Sequence, residues 1–199
     1  MNFLAHYILS QRNKEIIVGN FITDFVKGNK FDKINDSIMK GVSVHKEIDT
    51  FSDNHIQVSN TCELLYPHFG HYARVVVDMY YDYILTQHWS KFSSYTIHED
   101  LQFLYQTLDE YKSCYPLYIQ RMVKRIIGLK WLEKYQTIVG LHHIFRSMSK
   151  RVQFKNDFEN AIPVYQEYEL QINKHFLNFF IELKLHIDEF IYQRYVVNP

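Results

Sequence analysis

Cysteine is scarce in this chain: Cys62 and Cys114 are the only two among 199 residues. Two isolated thiols supply neither a disulfide framework nor a zinc knuckle, so both read as packing residues in a reducing compartment. An excess of charge is also lacking, with Lys plus Arg and Asp plus Glu at 22 each. A net charge of zero gives no general attraction to nucleic acid or to an anionic membrane, so neither is expected as a partner, and any charged partner must meet a local patch. No apolar run approaches the ~20 residues that a membrane-crossing helix needs. The opening Met1-Asn2-Phe3-Leu4-Ala5-His6 lacks the basic lead-in of a secretory signal. The expected setting is the cytoplasm. Glycine and proline are few, six and four, which leaves few sharp turns and implies long helices.

What the chain does have is apolar residues, at 47% enough to build a substantial core within one domain of ordinary size. Residues 1–199 are therefore read as a single all-α domain, a helical bundle, with no linker or repeat. Punctuation at Gly28-Asn29, Pro67 to Gly70, Pro116 and Pro163 falls between helical patterns. Val75, Val76, Met79, Tyr80, Tyr83 and Ile84 recur at helical spacing, so the β-branched run at 75–77 reads as helix despite its strand propensity. Phe176, Phe179, Phe180, Leu183, Ile187 and Phe190 make the apolar stripe of a closing helix, with Pro163 suited to its first turn. The 16 Tyr and 15 Phe are read mostly as core.

Polar residues interrupt these stripes at particular places. From Ile34 the inward line passes Ile38 and Val42 and then meets His45 and Asp49, where Leu would be expected. Asp53 continues the step if the helix lasts that far, although the 50–54 segment is equally suited to end it or to cap a turn. Asp78 and Asp82 lie four apart on the helix around Val76, which places both toward a site or leaves both as a solvated face. Asp24 follows Ile17 by seven and Phe21 by three, and His6 sits beside the Phe3, Leu4, Tyr7 and Ile8 face.

An unpaired buried charge costs several kcal/mol, so carboxylates at such borders call for a compensating cation. Imidazole nitrogen and carboxylate oxygen suit Mn²⁺, Mg²⁺, Fe²⁺ or Zn²⁺, and the lack of nearby thiolate argues against structural zinc. A divalent ion offsets charge on a phosphoryl oxygen and acidifies water, which is what hydrolysis of a phosphate ester requires. A remaining carboxylate would orient the water or take its proton. Spacing alone leaves this site and ordinary core or capping roles both open.

These same residues carry a resemblance. Asn2-Phe3-Leu4-Ala5-His6, then Gly19-Asn20-Phe21-Ile22-Thr23-Asp24-Phe25-Val26-Lys27-Gly28, then His45-Lys46-Glu47-Ile48-Asp49 with Ser52-Asp53-Asn54, and Asp78-Met79-Tyr80-Tyr81-Asp82 with His88-Trp89, resemble the bacterial acyl-carrier-protein phosphodiesterases in order and spacing. The likeness is dense to about residue 90 and thinner through Trp131-Leu132 to Met148-Ser149-Lys150-Arg151. It implies a divergent branch of the all-helical HD-type metal phosphohydrolases, although this chain has no adjacent His-Asp doublet. It further implies hydrolysis of the phosphodiester joining 4′-phosphopantetheine to a serine of acyl carrier protein, with Mn²⁺ or Mg²⁺ as cofactor and Fe²⁺ also suitable. The implied metal ligands come from His6, Asp24, His45, Asp49, Asp78 and Asp82, and the catalytic groups from Asp24, His45, Asp49 and Asp78. Because carrier proteins are small and acidic, Lys27 and Lys30 after Asp24 are the expected docking cations. Lys33 belongs to the same cluster, and further clusters are Lys124, Arg125 and Lys130 on one helix, and Arg146, Lys150 and Arg151 on another. Two alternatives remain beside this reading, an HD-like phosphohydrolase of a nucleotide or other small phosphodiester and a non-catalytic helical interaction protein. Neither the ion count nor the oligomeric state is readable.

Overall fold

The structure, a computed structural model, describes residues 3–26, 36–153 and 156–197. Among them the chain forms nine α-helices and no strand: α1 (Phe3–Leu9), α2 (Lys14–Thr23), α3 (Asp36–Asn54), α4 (Ile56–Phe69), α5 (Ala73–Gln87), α6 (Ile97–Glu110), α7 (Leu117–Gly128), α8 (Ile138–Ser149) and α9 (Ala161–Tyr192). The all-α class expected from the sequence is what the structure has. The β-branched 75–77 run lies in α5, and Pro163 sits in the first turn of α9. Pro67 departs from expectation. It lies inside the last turn of α4, and the stop comes at Gly70, whose φ of 53° suits a residue without a Cβ. A proline so near a helix end forfeits few backbone bonds. Lys130 also departs, because α7 ends at Gly128 and Lys130 lies beyond it with a φ of 46°.

Helix α2 is buried nearly all round, from Ile16 through Ile22, as a run that is apolar but for Asn20 requires. Asn13 caps it by accepting the Ile16 N–H at 3.1 Å. Its closest neighbour is α3, and two glycines make that approach possible. A Cβ on Gly19 would fall 2.8 Å from the Gly41 Cα and closer still to the Ile38 carbonyl oxygen. The backbones touch, so functional groups on the two helices come within hydrogen-bond range.

Helix α9 runs behind this pair and buries Phe176, Phe179 and Phe180 completely. Tyr81 of α5 meets Phe176 edge to face, ring centroids 5.1 Å apart. A buried acid ties the far side together. Asp100 of α6 accepts from the Tyr7 hydroxyl at 2.6 Å, the Ser93 hydroxyl at 2.5 Å, the Trp89 indole at 3.1 Å and the Arg12 guanidinium. Arg12 is clamped between the Tyr95 and Phe103 rings, at 3.8 and 4.1 Å from their centroids. Each buried charge here is paired, which is the condition for burying it. This clamp holds α1 in place, and α1 carries His6. Cys62 and Cys114 are free thiols packed against the core. No helix of the described residues is long and apolar enough to cross a membrane.

Candidate metal centre

His6 of α1 and His45 of α3 stack with ring centroids 4.4 Å apart and planes inclined by 20°. Both rings are buried, while Asp49, one turn after His45, is 41% exposed and forms the solvent-facing side of the site. Asp49 reaches both imidazoles, with carboxylate oxygens 3.0 Å from His45 Nε2 and 3.5 Å from His6 Nε2. Asp24, at the end of α2 and 47% exposed, lies 3.3 Å from His45 Nε2. Nε2 of His6 is buried with no hydrogen-bond partner among the described residues, since 3.5 Å is too long for one.

These donors fit a divalent ion. His6, His45 and Asp49 each offer one ligand atom, and the three atoms lie within 4.8 Å of one another. The set is two imidazole nitrogens and a carboxylate oxygen, open to solvent on the Asp49 side and without thiolate, a combination that accepts Mn²⁺, Fe²⁺ or Zn²⁺ and tolerates Mg²⁺. A buried nitrogen lone pair without a donor is what such an ion would satisfy.

The electrostatics agree with the geometry. Burial opposes charge on His45, but the carboxylates of Asp24 and Asp49 outweigh it and raise the imidazole to about 9. Burial pulls His6 down, the His45 ring pulls it further, and Asp49 only partly offsets them. Burial would raise Asp49, yet His45 and His6 hold it below the usual carboxylate range. Without an ion, His45 is therefore the ring favoured as the charged imidazolium, and His6 the ring favoured in its neutral form.

The remaining expected residues are placed differently. Asp78 of α5 is partly buried near His6, and burial pushes its carboxyl up against the opposing pull of Arg74 and His6. Asp82 is turned to α1, where it accepts the Leu4 and Ala5 N–H groups at 3.2 Å each. It caps that helix from across the fold. Burial raises Asp82 to about 7 although those two N–H groups pull it down. Asp53 is on α3, as the longer of the two expected ends allows, and it pairs with Arg74. Lys27, Lys30, Lys33 and Ile34 lie outside the described residues.

One residue at this centre was not singled out from sequence. Asn20 of α2 lies behind both rings and is 2% exposed. Its Oδ1 is 2.6 Å from His6 Nδ1 and 3.0 Å from His45 Nδ1, and its backbone oxygen is 2.9 Å from His45 Nδ1. The available signal was an amide within the otherwise apolar Ile16–Ile22 run of a fully buried helix.

Comparison with known proteins adds a family. The family model described as acyl carrier protein phosphodiesterase matches residues 1–183. Among curated relatives, the acyl carrier protein phosphodiesterase of Klebsiella pneumoniae (strain 342) is 28% identical over 152 residues, covering 76% of this chain and 79% of its own. Proteins of that name from Enterobacter sp. (strain 638) and Escherichia coli O139:H28 (strain E24377A / ETEC) are 25% and 24% identical, each with the same coverage of 76% and 79%. No solved structure matches the chain.

Proposed function

The chain belongs to the acyl carrier protein phosphodiesterase family, and from that premise we propose that it hydrolyses the phosphodiester linking 4′-phosphopantetheine to a serine of acyl carrier protein, with a divalent ion held by His6, His45 and Asp49. The observation that carries the metal part is the convergence of two buried imidazoles and a half-buried carboxylate around the unsatisfied His6 Nε2. A cytoplasmic setting belongs to the same reading. When bound, Mn²⁺, Mg²⁺ or Fe²⁺ supplies positive charge against the phosphoryl oxygens and lowers the pKa of a water.

The reaction needs a water oxygen bonded to phosphorus, the bond from phosphorus to the seryl oxygen broken, and a proton delivered to that oxygen. Asp24, half-exposed beside His45, is suited to orient the water and accept its proton or to complete the ligand set. Asp78, partly buried near His6 with its carboxyl shifted upward by burial, is the residue proposed to supply the proton that the departing serine takes. Asp82 serves the site by fixing the start of α1 and with it His6. The test compares Mn²⁺-loaded protein on holo-acyl carrier protein and on bis(p-nitrophenyl) phosphate. A far larger kcat/KM for the carrier is expected, whereas equal values would favour a small-phosphodiester enzyme.

Ion binding should be coupled to proton release. A ligating imidazole must be neutral, and in ion-free protein His45 is the ring that holds its proton up to about pH 9. Binding of Mn²⁺ at pH 7.5 should therefore release about one proton, and the release should fade as the pH rises through about 9. Calorimetry in buffers of different ionisation enthalpy reads this number, and zero release at pH 7.5 would remove His45 from the ligand set.

The carrier protein needs a surface on which to rest. Helix α7 carries Arg121, Lys124 and Arg125 and no carboxylate, and none of the three cations pairs with a carboxylate among the described residues. Arg121 and Lys124 line a groove of about 950 Å³ against α6. The Tyr118 hydroxyl donates to the Phe25 carbonyl at 2.9 Å, which ties α7 to the residue after Asp24. An acidic carrier docked there would feel these cations at short range. Replacing both Arg121 and Lys124 with Glu should raise KM for the carrier about tenfold or more at low salt, leave kcat in place, and lose its effect at high ionic strength. An unchanged KM would take α7 out of the docking surface.

A further inference from the structure

We infer that Asn20 is a positioning residue: its side-chain amide holds both imidazoles with the proton on Nδ1 and the Nε2 lone pair turned to Asp49, and so sets the affinity of the site for its ion. The inference rests on the reading of His6, His45 and Asp49 as ligands, and nothing in that reading assigns Asn20 a part.

The argument is one of hydrogen-bonding capacity. A carboxamide has two donors on nitrogen and two acceptor positions on oxygen. The Asn20 nitrogen donates to the His6 carbonyl at 3.0 Å and to the Ser10 hydroxyl oxygen at 3.1 Å. Ser10 gives its own hydrogen to the His6 carbonyl at 2.8 Å, so it can only accept from Asn20. The amide therefore cannot be turned end for end. Its oxygen faces the two rings and must accept from both Nδ1 atoms, at 2.6 and 3.0 Å. His45 Nδ1 also lies 2.9 Å from the Asn20 backbone oxygen, which has no hydrogen to give. All four positions of one amide are in use, and once His45 has given up its extra proton to become a ligand, both rings present bare Nε2 atoms on the same side. Partners of this kind behind a ligating histidine are worth roughly 10–100-fold in metal affinity. The amide reaches both rings only because Gly19 and Gly41 let α2 and α3 touch.

The test uses the full-length protein. Free Mn²⁺ is read by electron paramagnetic resonance during titration of wild type, Asn20→Leu, which keeps the volume and removes the acceptor, and Asn20→Asp, which keeps an acceptor for both rings. The leucine variant should bind Mn²⁺ about 10–100-fold more weakly, and the aspartate variant should recover most of that loss. Leucine binding within about threefold of wild type, or an aspartate variant as weak as leucine, would overturn the inference and leave a packing role. Should Asn20→Leu fail to fold, nitrogen-15 spectra of Zn²⁺-loaded wild type decide. Protons on Nδ1 of both His6 and His45 support the inference, and a proton on either Nε2 overturns it. Wild-type protein that binds no Mn²⁺ would bring down the metal reading itself, which is separable from every outcome above.

Discussion

Asp49→Asn is expected to abolish phosphodiesterase turnover, lowering kcat/KM by on the order of 10³-fold or more, about 4 kcal/mol of transition-state stabilisation. Asp49 reaches both imidazole Nε2 atoms, at 3.0 and 3.5 Å, and it belongs to the one three-residue cluster of ligand atoms found among the described residues. An amide of the same size keeps the packing but is a poor ligand and leaves the cation uncompensated. The fold should survive, because the Asp49 side chain is 41% exposed and solvent screens its ion pair with His45. Helix content by circular dichroism should match wild type, and the ion-free melting temperature should stay within a few degrees. Mn²⁺ is expected to raise the melting temperature of wild-type protein, and that rise should be absent from the variant. Asp49→Asn protein that keeps wild-type turnover would remove the carboxylate from the centre.

Gly19→Ala should have the largest effect on stability. The added methyl would sit 2.8 Å from the Gly41 Cα, 2.9 Å from the Val42 nitrogen and nearer still to the Ile38 oxygen. All three are backbone atoms, so no side chain can move aside and α2 must separate from α3. Overpacking of this kind costs about 3 kcal/mol or more, which for a domain of this size is a fall of roughly 6–12 °C in melting temperature. Metal affinity should fall with it, since the same separation draws Asn20 away from His45. Gly128→Ala is the control. No atom lies within 4 Å of its added methyl, and alanine is the better helix former, so that variant should be neutral or slightly more stable. Equal behaviour of the two variants would contradict the glycine-mediated contact.

The fold class was legible because apolar spacing in α5 and α9 repeats every three to four residues over long stretches. His45 and Asp49 were legible for a related reason. They occupy apolar positions of an otherwise regular stripe, and the side chains do share one face, 3.0 Å apart. His6 offered only a position beside a stripe, and its burial depends on contacts from other helices. Asp82 shows where sequence reasoning stops. Four residues from Asp78, it reads as half of a paired site or of a solvated face, and what spacing could not show is that it accepts from α1 N–H groups 77 and 78 residues away in sequence. Asp100 is similar, since Tyr7, Arg12, Trp89 and Ser93 reach it from separate segments and no local spacing announces that convergence. Asn20 lay within the motif that pointed to the family, yet its role depends on two rings brought to it from α1 and α3. Local periodicity reports which face a residue occupies, whereas partners across the core are fixed only by tertiary packing.

The most direct measurement is incubation of metal-stripped protein with holo-acyl carrier protein, with and without added Mn²⁺, followed by mass spectrometry of the carrier. Loss of the 4′-phosphopantetheine mass, with apo-carrier and free phosphopantetheine appearing only when Mn²⁺ is present, is the expected result. An intact carrier in the presence of Mn²⁺, Mg²⁺ or Fe²⁺, or full cleavage by the metal-stripped protein, would contradict it.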